Sequence, residues 1–104
     1  RIGLNMLRKS VDELIEALRN TDEYKQYKEA ADSITVDELE KINEYKRLRF
    51  EAVNGGAHGE NDESVRLYSK LMLNTVTRNY MLCEKKIYNI VADIYDEIGR
   101  QLIN

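Results

Sequence analysis

The 104-residue chain contains no proline and no tryptophan, and only one cysteine, one histidine and one phenylalanine. Without proline, the strongest helix breaker is missing. A single cysteine forms no internal disulfide. Cys83 and His58 together supply only two of the about four Cys or His ligands that a structural zinc site needs. These shortages exclude a disulfide-stapled secreted module and a zinc module.

The charge balance and the hydropathy pattern exclude two further classes. The chain carries 16 Lys+Arg and 19 Asp+Glu, a net charge of −3, whereas a nucleic-acid-binding domain usually has a basic surface. No run approaches the ~18 apolar residues of a membrane span. Arg8, Lys9 and Asp12 interrupt the N-terminal segment, which differs in this from a signal peptide. We therefore expect a cytoplasmic protein without membrane contact.

Apolar residues recur every three or four positions through almost the whole chain, which is the pattern of amphipathic helices. Thr21, Thr35 and Asn74 are candidate caps, and Thr35 with Glu38 matches a capping box. A glycine-rich loop over 54–63 has nothing large and apolar to bury, so we expect it to be mobile. The pattern predicts one helical domain over 1–104. Its helices are expected at 2–19, about 22–33, 36 to about 53, from 61 or 62 to the cap at 74, and about 75–103.

The last predicted helix is long for so short a chain. At 1.5 Å per residue it reaches roughly 42 Å, while a compact domain of this size has a radius of gyration of only about 13 Å. The sequence thus predicts an all-α fold: an elongated bundle of four to five helices that dimerises through helix packing. The residues expected at the partner interface lie along this helix: Tyr80, Met81, Ile87, Tyr88, Val91, Tyr95, Ile98 and Leu102.

The remaining candidate sites have both a functional and a structural interpretation. Cys83 lies in an apolar seam, where a free cysteine is usually a small buried hydrophobe, and His58 lies among glycines. We find no constellation of catalytic or metal-ligating side chains and predict a non-enzymatic protein without a cofactor. The seven tyrosines favour either an interface or the edge of a core.

A cluster of cations on the third helix is the alternative binding surface. Glutamates alternate with these cations along the helix and reduce their positive electrostatic field. It is either a partner or RNA patch or a mixed solvated face. We call the following residues the basic patch: Lys41, Tyr45, Lys46, Arg47 and Arg49.

Three segments in order resemble the YlbF/YmcA family of small bacterial proteins. The first is a helix, a short break and Glu23-Tyr24-x-x-Tyr27-x-x-Ala30. The second is the middle helix over Ile42–Glu51. The third runs from Leu71-Met72-Leu73-Asn74 through Val76, Tyr80, Leu82 and Glu84 into the long last helix. The resemblance covers nearly the whole chain.

This resemblance implies an all-helical, oligomer-forming regulator or adaptor of Firmicutes-type bacteria. It implies a homodimer or a hetero-oligomer with related subunits, in a complex with a PSP1-domain protein that influences mRNA processing by the endoribonuclease RNase Y. The processes implied are biofilm formation, competence and sporulation. Some family members are associated with iron–sulfur clusters through cysteines. This chain departs from them, because Cys83 is its only cysteine.

Overall fold

A computed structural model describes residues 2–55 and 62–103. Within these ranges the chain forms five α-helices and no strand, which confirms the predicted all-α class. Most of the predicted loop over 54–63 lies outside the described residues, because the structure does not describe residues 56–61. His58 is one of these residues. The helices are α1 (Ile2–Arg19), α2 (Asp22–Ser33), α3 (Val36–Asn54), α4 (Asp62–Leu73) and α5 (Thr75–Ile103).

Short polar side chains set the helix boundaries where the sequence predicts them. The Thr21 hydroxyl accepts from the amide of Tyr24 at 3.1 Å, at the start of α2. Thr35 and Glu38 form the complete capping box of α3. Asn74 is the one residue between α4 and α5, and its Oδ1 accepts from the amide of Val76 at 2.9 Å. Each cap satisfies amides that a helix start leaves without an intrahelical acceptor.

The chain divides into two compact units, and the division falls within α2 and α5. We call Ala30–Leu82 the central unit, and Arg1–Glu29 with Cys83–Asn104 the terminal unit.

The central unit has a buried core, in which α3 packs against α4. Ile42 is completely buried, and the rings of Tyr45 and Tyr68 meet at a centroid distance of 5.3 Å. Thr77 is also buried, and its hydroxyl donates to the carbonyl of Leu71 at 2.5 Å. Among the described residues of this unit, the other buried side chains are Ala30, Leu48, Ala52, Ser64, Leu71 and Tyr80.

The terminal unit buries far less. Among its described residues only Cys83 is buried, as the sequence predicts for this thiol. The apolar seam of α1 stays open to solvent: Leu7 is 62% exposed and Leu14 is 38% exposed. Its helices therefore present apolar side chains that the described part of the chain leaves uncovered.

Candidate protein interface

Five of the exposed apolar side chains of α5 lie in one row with the spacing of a coiled-coil seam. Steps of three, four, three and four residues place them at the a and d positions of successive heptads. They are Tyr88, Val91, Tyr95, Ile98 and Leu102, exposed by 62, 47, 75, 50 and 80%, and we call them the α5 row.

A second seam on the same helix is covered. Tyr80 and Cys83 are buried, and Ile87, Ile90 and Ile94 are half-buried. One helix thus carries a seam of buried and half-buried residues and a row of exposed ones. A row of this length and apolar character is typical of a surface that binds another helix.

The predicted interface residues therefore separate into two groups. The five residues of the α5 row are exposed. Met81 and Ile87 are half-buried, and Tyr80 is only 7% exposed. The Tyr80 side chain consequently belongs to the core of the central unit rather than to the exposed surface.

The basic patch on α3 is partly neutralised by its neighbours. The Arg47 guanidinium donates to both oxygens of Glu44 and, at 2.6 Å, to Glu51. The hydrogen bond from Arg47 lowers the pKa of Glu44, and the two glutamates raise the pKa of Arg47 above its already high ordinary value. Arg47 is therefore paired with two exposed carboxylates, which reduce the positive electrostatic field of the basic patch.

The other members of the basic patch lie in different surroundings. Lys41 and Arg49 are exposed, Lys46 is half-buried, and Tyr45 is half-buried against Tyr68. RNA binding by this patch stays a prediction, and the double pairing of Arg47 is an observation against it.

The structure also shows a polar junction in the central unit that the sequence does not reveal. The Glu38 carboxylate accepts from the amide of Thr35 at 3.0 Å and from the Asn74 side chain at 3.3 Å. These hydrogen bonds, chiefly the one from the Thr35 amide, lower the pKa of Glu38. The caps of α3 and α5 are thereby joined through one carboxylate.

A cavity of about 340 Å³ lies in the central unit and is likewise missed by periodicity. Arg78 is the one charged residue among its lining residues, and its guanidinium donates to the carbonyl of Met72 at 3.4 Å. The other lining residues come from the end of α2 and the first turns of α5: Ala30, Ser33, Thr75, Val76, Asn79 and Leu82.

The described residues show neither a metal-binding cluster nor a membrane span. No group of three or more His, Cys, Asp or Glu side chains in residues 2–55 and 62–103 is placed to hold a metal ion. None of the five described helices combines the length and the hydropathy that crossing a bilayer requires.

Comparison with known proteins identifies the family. The family described as "Control of competence regulator ComK, YlbF/YmcA" matches residues 7–103. The chain belongs to the YlbF/YmcA family. The family's description supports a regulatory role.

Two curated relatives extend this comparison of the YlbF/YmcA chain. A UPF0342 protein of Desulfitobacterium hafniense strain Y51 is 26% identical over 103 residues, covering 91% of this chain and 83% of the relative. A UPF0342 protein of Caldicellulosiruptor bescii is 32% identical over 90 residues, covering 79% of this chain and 76% of the relative. No solved structure gives a significant match to the chain.

Proposed function

We propose that this YlbF/YmcA protein is a non-enzymatic regulatory subunit that acts in the cytoplasm by binding other proteins through the α5 row. The observation that carries the proposal is the exposure of an apolar seam with heptad spacing, with Tyr88 and Tyr95 as its largest members. Tyrosine is enriched at interfaces because its ring is buried by a partner while its hydroxyl reaches water at the rim. The proposed role requires neither a metal ion nor an organic cofactor.

The family resemblance supplies the candidate partners. It implies a multi-protein complex with a PSP1-domain protein and RNase Y, and hence control of mRNA processing in competence, biofilm formation and sporulation. The family's description as a control of the competence regulator ComK supports the regulatory part of this proposal.

A pull-down from the native bacterium tests the proposal. The tagged chain and its Tyr95→Glu variant are used as bait, and the captured proteins are identified by mass spectrometry. Glutamate in the middle of the α5 row places a charge where a partner would desolvate it. We therefore expect the variant to lose at least about tenfold of the captured PSP1-domain protein or RNase Y, a loss of about 1.4 kcal/mol in binding.

Phe50→Glu is the matched control, because Phe50 is an aromatic residue of similar exposure, 70%, in the central unit. This control should capture the same partners as the unmodified chain. Equal capture by the Tyr95→Glu variant, or no capture of either protein, would contradict the proposal.

A further inference from the structure

We propose that the cavity between the end of α2 and the first turns of α5 binds a small carboxylate with a short aliphatic body. This site goes beyond the proposed function, because every residue that lines the cavity belongs to the central unit, whereas the α5 row belongs to the terminal unit. Three features of the cavity wall define the ligand: an arginine without a carboxylate partner, neutral hydrogen-bonding side chains, and an apolar surface.

Arg78 supplies the positive charge of the cavity, and no carboxylate among the described residues pairs with it. Its guanidinium donates to the carbonyl of Met72 at 3.4 Å, which is long for a hydrogen bond of this type. Arg19, Arg47 and Arg100, by contrast, each pair with a glutamate of their own helix. A guanidinium has five N–H donors in a planar fork that matches a carboxylate. Most of the donors of Arg78 are therefore available to a ligand.

The side chain of Arg78, and not the start of α5, is the group assigned to the anion. The cap of α5 already uses two amides of its first turn, since Asn74 Oδ1 accepts from Val76 at 2.9 Å and from Thr77 at 3.2 Å. The amide of Arg78 donates to the carbonyl of Asn74 at 2.9 Å. Recognition of a carboxylate consequently depends on the guanidinium.

The other polar groups of the cavity wall are neutral. Ser33 and Thr75 contribute hydroxyl groups, and Asn79 contributes a carboxamide. Hydroxyl and carboxamide groups both donate and accept hydrogen bonds, so they do not oppose the charge of an anion. Asp32 precedes Ser33 in the sequence, but it is exposed and does not line the cavity. The wall thus offers a carboxylate one cation and no competing anion.

Three apolar side chains complete the wall and require an aliphatic part in the ligand. Ala30 is buried, whereas Val76 and Leu82 are 37 and 47% exposed, so an aliphatic group would cover apolar surface that water now reaches. The volume of about 340 Å³ is at the small end of ligand pockets. An inorganic anion would leave the apolar surface uncovered. The cavity therefore favours a short aliphatic carboxylate over a bare anion.

An NMR titration at constant ionic strength tests the site, with 3-methylbutanoate as the probe. The amide signals of Ala30 and Asn79 should shift with a dissociation constant of about 1–10 mM. The uncharged isostere 3-methylbutanamide should bind at least about tenfold more weakly, because it lacks the charge that Arg78 recognises. Acetate, which lacks most of the aliphatic body, should bind at least about threefold more weakly. No saturable shift with the probe, or equal affinity for the amide, acetate or inorganic phosphate, would overturn the proposal.

A first pair of variants tests the charge. Arg78→Gln should weaken binding of 3-methylbutanoate at least about tenfold. Arg66→Gln is the matched control, because Arg66 also donates to a backbone carbonyl, that of Asp62 at 3.2 Å, and does not line the cavity. This control should bind the probe as the unmodified chain does. Unchanged binding by Arg78→Gln would contradict the assignment of the carboxylate to Arg78.

A second pair of variants tests the apolar wall. Leu82→Glu places a carboxylate one helical turn from Arg78, where it should pair with the guanidinium and exclude the probe. Leu73→Glu is the control, at an exposed leucine of the same unit that does not line the cavity. Circular dichroism checks that both variants keep their helix content. Probe binding that survives in Leu82→Glu would overturn the proposal, while the capture experiment with the Tyr95→Glu bait tests the proposed function independently of this cavity.

Discussion

The central and terminal units contain equally regular helices but differ in what they do with apolar side chains. Ile42 in the central unit is completely buried, whereas Ile98 in the terminal unit is 50% exposed. Both residues occupy apolar positions of amphipathic helices. The difference teaches that a helical seam becomes a core only where the chain supplies a facing helix, as α4 does for α3. Where it supplies none, the same pattern stays exposed to solvent, as it does in the α5 row.

The largest expected effect is on the free energy of unfolding, when one isoleucine in each unit is shortened to alanine. Ile42→Ala should lower the free energy of unfolding by about 2–5 kcal/mol, since it leaves a cavity in a packed core. Ile98→Ala should cost less than about half as much when the chain is dilute, because Ile98 is already half in water. Urea denaturation of both variants at low protein concentration gives the comparison. Equal losses would show that the two units are packed alike.

An intermediate loss of stability is expected when a buried hydroxyl group of the central unit is removed. Thr77 is 1% exposed, and its hydroxyl donates to the carbonyl of Leu71 at 2.5 Å. Thr77→Val keeps the shape of the side chain but removes this donor from the Leu71 carbonyl, at a cost of about 1–3 kcal/mol. Thr75→Val, at an exposed position, is the control and should change stability by less than about 0.5 kcal/mol. Thermal unfolding measures both, and a neutral Thr77→Val would mean that the central core tolerates the loss.

The smallest expected effect is on the stability of the protein at low pH. Hydrogen bonds from Thr35 and Asn74 lower the pKa of Glu38 in the folded chain below its ordinary value of 4.5. The ionised form therefore contributes stability above the unfolded pKa, and this contribution is lost as the pH falls through the folded pKa. Glu38→Gln removes the titration, so its melting temperature should fall less steeply than that of the unmodified chain below pH 4.5. Parallel acid profiles would mean that the junction does not stabilise the central unit.

Most of the fold was predictable because its signals are local. The capping box at Thr35 and Glu38, and the cap at Asn74, mark helix starts through side chains that act within a few residues. The spacing of apolar residues then gives the helical faces. The structure confirms the predicted type of all five helices and places their boundaries within about one residue of those predicted.

The candidate site was less predictable, because burial depends on which helices meet. Tyr80 and Tyr88 both follow helical spacing, yet one is buried and the other is 62% exposed. Periodicity identifies an apolar face but not the element that covers it. The hydrogen bond between Glu38 and Asn74 joins residues 36 positions apart, and no local pattern predicts that contact.

The burial of Cys83 has a practical consequence. It is the chain's single thiol and the one buried residue among the described part of the terminal unit. A thiol reagent reaches such a group only when the surrounding helix opens. The rate at which a reagent alkylates Cys83 in the unmodified protein therefore reports how often the helix around this residue opens. A partner that stabilises the terminal unit should lower this alkylation rate.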